Sequence, residues 1–238
     1  MLQQTQVARV LPYYAEFLRS FPTIRALGSA SLSTVLIAWQ GLGYNRRAQN
    51  LHRAAKALVK VRRFPRTPEV LEALPGVGHY TARALAAFAF NQDSVLLETN
   101  IRTAVLHHFF SSVPRKRNST VYGTVSDTKI LELLAHMLPK GRSREWHYAL
   151  MDYGAHLKRS GVRLNAHSKG YVKQKSFKGS ARQARGALLK ELAQGSALQP
   201  RLLGLLGDDR RDQVRTQLRV LLGEGLIVRR GTRFSLPD

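Results

Sequence analysis

The stretch Leu74-Pro75-Gly76-Val77-Gly78 constrains the fold of this chain more than any other. A short helix is expected just before it, with Thr67 as N-cap, Pro68 at the first helical position and Glu69 in the first turn. Another helix is expected to start at His79 and run through an alanine-rich stretch to about Phe90. Gly76 and Gly78 can take positive φ and leave the backbone bare, so consecutive N–H groups can approach a phosphate. The N–H groups and positive dipole end of the second helix point the same way. Val77 at the tip is placed to plug into the core and pin the turn. A bare Gly-x-Gly is otherwise an ordinary turn. The charge of the chain argues against that: 38 Lys+Arg face 15 Asp+Glu, a formal +23 over 238 residues. Such a balance implies a polyanionic partner, either nucleic acid or an anionic membrane surface. A hairpin of this kind in so basic a chain points to a helix-hairpin-helix clamp on a DNA backbone.

The rest of the composition narrows the class. At 44% hydrophobic and 22% charged the chain is globular rather than disordered. No apolar run approaches the ~20 residues of a membrane span, and no charged-then-apolar signal pattern opens the chain. The basic run described below lacks an apolar helical face, which leaves a membrane-surface role least supported. The absence of cysteine excludes disulfides, thiolate metal sites, Cys-ligated iron–sulfur clusters and Cys nucleophiles. His107 and His108 are adjacent, so on a helix they diverge and make a poor metal pair. A monomeric, cytoplasmic, nucleoid-associated bacterial protein with no metal site is the expectation.

Helix follows helix through the first two thirds. Val7, Val10, Leu11, Tyr14, Phe17 and Leu18 form one apolar stripe that ends at Phe21-Pro22. Ser31 to Gln40 reads as a short helix stopped by Gly41 and Gly43. Tyr44, Ala48, Leu51, Ala55, Leu58 and Val59 form a second stripe, with Arg46, Arg47, Asn50 and Arg53 mostly off it. Further helices are expected at about 100–110, 127–138 and 143–157, and no strand before residue 160. From Tyr153 to Lys190 the chain carries ten Lys and Arg and no acid. Its first part reads as a basic linker, either a solvated tether or a phosphate contact. Helices at 181–193, around 199–206 and at 208–223 follow, and then two short strands, 225–229 and 233–236, around a tight turn. Three helices and a basic hairpin describe a winged-helix domain, which serves DNA in some proteins and protein contacts in others. The expected division is 1–157, a linker 158–180, and 181–238.

Leu74-Pro-Gly-Val-Gly-His-Tyr-Thr-Ala82 resembles the signature of the helix-hairpin-helix DNA glycosylase superfamily. Met1-Leu-Gln-Gln-Thr-Gln-Val7, Gly41-Leu-Gly-Tyr-Asn-Arg-Arg-Ala-Gln-Asn-Leu51 and Met151-Asp-Tyr-Gly-Ala155 are similar to stretches of the A/G-mismatch adenine DNA glycosylases, and in the same order. The resemblance covers roughly residues 1–157. It implies a mainly α glycosylase core that removes adenine mispaired with guanine or 8-oxoguanine. Its partner would be double-stranded DNA carrying a mismatch or an oxidised base.

Hydrolysing a purine N-glycosidic bond requires protonating the leaving base and stabilising an oxocarbenium-like sugar, with the base flipped out of the duplex. In the family the acid is a Glu two residues before the Met-Leu-Gln-Gln-Thr motif, a position ahead of Met1. The resemblance places the second carboxylate at Glu98, within Leu97-Glu98-Thr99-Asn100, where relatives carry Asp. Asn100 would help to hold it. Without the resemblance, Glu98 is an acid favouring a helix start and Asn100 a cap residue. Tyr80 stands where bifunctional relatives carry a Schiff-base Lys, which implies a monofunctional enzyme with Tyr80 against the reacting nucleotide. Leu2, Gln3, Gln4, Thr5 and Tyr44 are implied around the base opposite the lesion. Arg46 and Arg47 are candidate phosphate contacts, beside Gly76, Val77, Gly78 and His79 of the hairpin.

Two family features have no counterpart. Most adenine glycosylases bind a [4Fe–4S] cluster through four Cys soon after the Met-Asp-x-Gly-Ala stretch. Here that stretch continues through His156, Leu157 and Lys158 with no Cys, so no cofactor is expected. The winged-helix-like unit stands where relatives carry a domain that checks for 8-oxoguanine. The missing acid leaves two expectations: a native start upstream of Met1, which the absent helix cap favours, or a protein that binds lesions without excising them. The competing functions are a glycosylase for thymine or uracil mispaired with guanine, and a non-catalytic DNA-binding protein using the winged helix.

Overall fold

The computed structural model describes residues 1–3, 5–110, 125–162, 164 and 176–238. The chain forms two compact units, one of Met1–Phe64 with Lys175–Asp238 and one of Pro65–Gln174.

The first unit opens with α1 (Val7–Ser20), α2 (Ile24–Ser29), α3 (Leu32–Ala38) and α4 (Arg46–Val59). Its C-terminal part comprises α10 (Ala181–Leu192), β1 (Ala197–Leu198), α11 (Gln199–Leu203), α12 (Arg211–Gly223), β2 (Val228–Arg230) and β3 (Arg233–Ser235). The strands form an antiparallel sheet in the order β1-β3-β2. Three helices and such a sheet make the winged-helix-like region expected. The addition is β1, too short at two residues to show a period in the sequence. One hydrophobic cluster runs through both parts, from Val10, Phe17, Val35, Leu36, Trp39 and Ala48 to Leu188, Leu202, Leu218, Leu221, Ile227 and Phe234. The compact units therefore depart from the expected domains 1–157 and 181–238. Shared apolar burial, rather than order along the chain, joins the winged-helix-like region to the first 64 residues.

Two apolar stripes are corrected as well. In α1 the core face is Val10 and Phe17, with Tyr13 partly buried, whereas Val7, Leu11, Tyr14 and Leu18 are exposed. In α4 the buried residues are Ala48, Gln49, His52, Ala54 and Ala55, and Leu51 faces solvent. Gln49 and His52 tolerate burial because each has a backbone partner. Gln49 Nε2 donates to Glu224 O at 2.8 Å, and His52 Nε2 lies 3.0 Å from Ala30 O. The α2 helix was not expected; Thr23, just after Pro22, caps it by accepting from Ala26 N.

The second unit contains α5 (Pro68–Glu72), α6 (His79–Phe90), α7 (Thr99–Phe109), α8 (Asp127–Met137) and α9 (Ser143–Arg159). Leu96, Ile101, Val105, Leu106, Ile130 and Leu134 form its main core, and Leu71, Ala82 and Ala86 a smaller one beneath the hairpin. The pairing of α7 with α9 is close: a Cβ on Gly154 would lie 2.0 Å from Asn100 O and 2.5 Å from its carbonyl carbon. Only glycine lets the two backbones meet there. The expected linker 158–180 lies largely outside the described residues, but Lys158 does not belong to it; it sits in the last turn of α9.

Candidate nucleic-acid interface and active site

Within the second unit, α5 and α6 meet at the glycine turn. Gly76 adopts φ +75°, the left-handed conformation the turn requires. Gly78, expected to share that freedom, is extended at φ −89° and serves as the N-cap position of α6. A Cβ added at Gly78 would meet nothing within 4 Å, so the space beside it is open. Val77 packs against the Leu71, Ala82 and Ala86 cluster and donates its N–H to Leu74 O at 3.1 Å, pinning the turn as expected. Thr67 occupies the N-cap of α5, but its side chain makes no capping bond, and Pro68 does the work of starting the helix. His79 is exposed at the mouth of the hairpin, 3.3 Å from Glu72 and beside Arg83. The hairpin thus leaves a glycine-lined backbone and the positive end of α6 exposed, an arrangement able to receive an anion.

Glu98 is the N-cap of α7. Its Oε1 accepts from Asn100 N at 2.6 Å and Ile101 N at 2.7 Å, while Oε2 accepts from Thr99 Oγ1 at 3.2 Å. The carboxylate is therefore held rigidly at the positive end of a helix. Tyr80, in the first turn of α6, lies within its electrostatic reach: burial, and then the Glu98 charge, push the phenol pKa up. Asn100 turns its side-chain carbonyl to Lys158, whose Nζ donates to Asn100 Oδ1 at 2.6 Å and Thr99 Oγ1 at 3.1 Å. From the sequence, Lys158 was expected in the basic linker, as part of a tether or a phosphate contact. The signal that would have found it is its place four residues after Gly154, on the α9 face that packs against α7.

In the first unit, Gly41 (φ +87°), Gly43 (φ +68°) and Tyr44 (φ +48°) give a tight left-handed loop. Trp39 Nε1 donates to Gly43 O at 3.1 Å and Arg9 Nε to Gly41 O at 3.1 Å. Arg47 is the centre of this arrangement. Its Nη1 donates to Met1 O at 2.9 Å and Gln3 O at 2.6 Å, and its Nη2 to Thr5 Oγ1, Leu42 O and Gly43 O at 3.2–3.3 Å. The guanidinium also lies 5.4 Å from the centroids of both Trp39 and Tyr44, and burial lowers its pKa. Arg47, expected as a phosphate contact, instead turns both Nη groups inward, holding Met1, Gln3 and Thr5 against the loop. Arg46 faces solvent. Leu2 and Gln3 are exposed and Thr5 partly so, beside the loop, while Gln4 lies outside the described residues. Tyr44 OH accepts from Arg182 Nη1 of α10 at 3.1 Å.

The predicted residues that are described thus fall into two groups, Leu2, Gln3, Thr5, Tyr44, Arg46 and Arg47 in one unit, and Gly76, Val77, Gly78, His79, Tyr80, Glu98 and Asn100 in the other. The family's iron–sulfur cluster does not fit this chain, which offers no thiolate. Among the described residues no group of three or more His, Asp or Glu is arranged to hold a metal ion. Also among them, no helix is long and apolar enough to cross a membrane.

The chain is similar to known proteins. The chain is 33% identical over 157 residues to the adenine DNA glycosylase of Buchnera aphidicola subsp. Baizongia pistaciae and 38% identical over 164 residues to that of Mycobacterium tuberculosis. Each match takes in 65% of this chain, but only 42% and 50% of those relatives, so the chain spans about half their length. In three dimensions it resembles a thermostable thymine-DNA glycosylase, with a TM-score of 0.53 at 24% identity over 65% of this chain and 69% of that one, a likeness of fold. Residues 1–138 match the HhH-GPD superfamily of base excision DNA repair proteins, and with more than half of its length in that match the chain belongs to this family.

Proposed function

We propose that the chain is the core of a monofunctional DNA glycosylase that hydrolyses the N-glycosidic bond of adenine mispaired with guanine or 8-oxoguanine. The observation that carries this reading is Glu98, a carboxylate fixed by two backbone N–H groups with Tyr80 inside its field. A negative charge so fixed suits stabilisation of an oxocarbenium-like sugar, because it need not reorganise as positive charge develops. The hairpin at Gly76–Gly78 would hold the backbone of the duplex, and the loop at Gly41–Tyr44 would meet the opposite base. The acid that protonates the departing adenine would be the Glu that such glycosylases carry two residues before their counterpart of the Met1–Thr5 stretch. No amine stands at Tyr80, and that of Lys158 is engaged with Asn100 and Thr99, so base release is not expected to lead to strand cleavage.

The test is base release from duplexes carrying A opposite 8-oxoguanine, A opposite G and T opposite G, with free base and strand cleavage scored separately. The chain, the chain extended at its N-terminus to supply that Glu, and the extended chain with Glu98→Gln are compared. The extended chain should release adenine from the first two duplexes, and Glu98→Gln should slow it by at least about 10²-fold. Thymine release from the third duplex would make the protein a thymine glycosylase. Tight duplex binding with no base released by any form would make it a DNA-binding protein.

A further inference from the structure

The winged-helix-like region carries basic residues suited to a second DNA contact, yet most are already engaged. Arg211, Arg215 and Arg230 pair with Asp208, Asp212 and Asp238, and Arg233 donates to the hydroxyl and carbonyl of Ser196. Its most specific attachment points elsewhere, into the loop at Gly41–Tyr44. Arg182 of α10 donates to Tyr44 OH at 3.1 Å, and its guanidinium carbon lies 5.6 Å from the Tyr44 ring centroid. Arg47 lies 5.4 Å from the centroid of the same ring, so two cations hold one aromatic side chain. Tyr44 needs holding, because a non-glycine residue at φ +48° is strained.

The support for Arg182 is rigid. Ala184, Leu188 and Leu189 bury one face of α10 in the shared core. Arg185, three residues on, forms an ion pair with Glu224 in which both side chains are less than one-fifth exposed. Gln49 of α4 donates to the backbone carbonyl of that same Glu224, tying α4 to the end of α12. A chain of contacts therefore runs from the C-terminal core to the one aromatic residue of the loop.

We propose that Arg182 is a positioning residue for recognition of the base opposite the lesion, through which the winged-helix-like region sets the conformation of Tyr44. The inference rests on the reading, given above, that this loop meets the opposite base. It assigns the C-terminal region a part in mispair discrimination that acts through the loop and needs no DNA contact of its own.

The test uses the full chain and binding alone. Affinities for duplexes with A opposite 8-oxoguanine, A opposite G and fully paired A·T are measured at one salt concentration. The proteins are the wild type, Arg182→Gln, Arg182→Lys, Tyr44→Phe and the Arg182→Gln/Tyr44→Phe pair, each with its unfolding midpoint and the amide exchange of residues 41–45. Arg182→Gln should lower the ratio of mispaired to paired affinity by roughly three- to tenfold and speed exchange in the loop, and Arg182→Lys should restore part of both. In the double variant the two losses should not add. An equal loss on all three duplexes would make Arg182 a phosphate contact and overturn the inference. So would a wild-type preference that Arg182→Gln leaves unchanged, or fully additive losses. A wild-type chain with no preference among the duplexes would overturn the functional reading and this inference together, which is a different result from either of those.

Discussion

Replacing Gly154 by Ala tests the seam on which the candidate catalytic carboxylate depends. In an ordinary helix interior the change is favourable by about 1 kcal/mol, because alanine loses less backbone entropy than glycine. Here the new Cβ would lie 2.0 Å from Asn100 O and 2.9 Å from Asn100 Cα, where ordinary contact begins at 3.4 Å. Relief of the closest contact requires α7 and α9 to separate by about 1.4 Å, and the neighbour is backbone, which cannot swing aside. Overpacking of this kind costs about 1–3 kcal/mol, and a backbone-to-backbone clash belongs at the top of that range. The net effect is a loss of about 2 kcal/mol, or roughly 4–8 °C in melting temperature for a chain of this size. Circular dichroism melts, with urea unfolding beside them, would measure it. Gly186→Ala in α10 is the control: its site has nothing within 4 Å, so the helix gain of about 1 kcal/mol should appear undiminished. The two changes must have opposite signs. A Gly154→Ala protein as stable as the parent, or more so, would refute the close meeting of the two helices.

Two further outcomes follow from the site geometry. Arg47→Ala should cost about 2–3 kcal/mol by removing the donor to the backbone carbonyls of Met1 and Leu42 and one of the donors to those of Gln3 and Gly43, while leaving the salt dependence of DNA binding unchanged. Arg46→Ala should leave stability alone; if Arg46 contacts phosphate, it should reduce the slope of log affinity against log salt by about 1, and titration of binding against salt separates the two. Stability should also fall as pH drops from 7 to 5.5. His147 is fully buried, with Nδ1 2.7 Å from Ser143 O and Leu96 N donating to Nε2 at 3.4 Å, and burial holds its pKa below the ordinary 6.5. The unfolded chain therefore takes up the proton first, so stability is full above pH 6.5 and is lost as pH falls below it. Burial shifts His52 the same way. Urea midpoints across this range, with His147→Gln flattening the fall, would check it; midpoints that rise toward pH 5.5 would refute it.

How much was legible in the sequence varies by residue, for physical reasons. The glycine hairpin was legible because its signals are local: a helix start at Pro68, an alanine-rich helix, and Val77 between two glycines. Glu98 was expected only as an acid near a helix start, with Asn100 as the cap residue; the structure makes Glu98 itself the N-cap and puts Asn100 in the first turn of α7. The helices from α7 to α10 fell within two residues of their expected bounds, because each carries its period within itself. The apolar stripe of α4 was misread because hydrophobicity alone gives no sign that Gln49 and His52 find buried partners on distant segments.

What the sequence by itself determined is therefore a set of helices, a glycine turn between two of them, a strongly basic charge and the exclusion of a cysteine-bound cluster. Each of these follows from composition or from residues within a few turns of one another. Only the tertiary structure decided that Arg47 is a brace, that Lys158 leaves the basic run to hold Asn100, and that Arg182 reaches Tyr44 across 138 positions of chain. It also decided that the C-terminal helices share a core with the first 64 residues. A side chain's partners across long separations depend on which apolar faces bury together, and that choice is made by the whole fold at once.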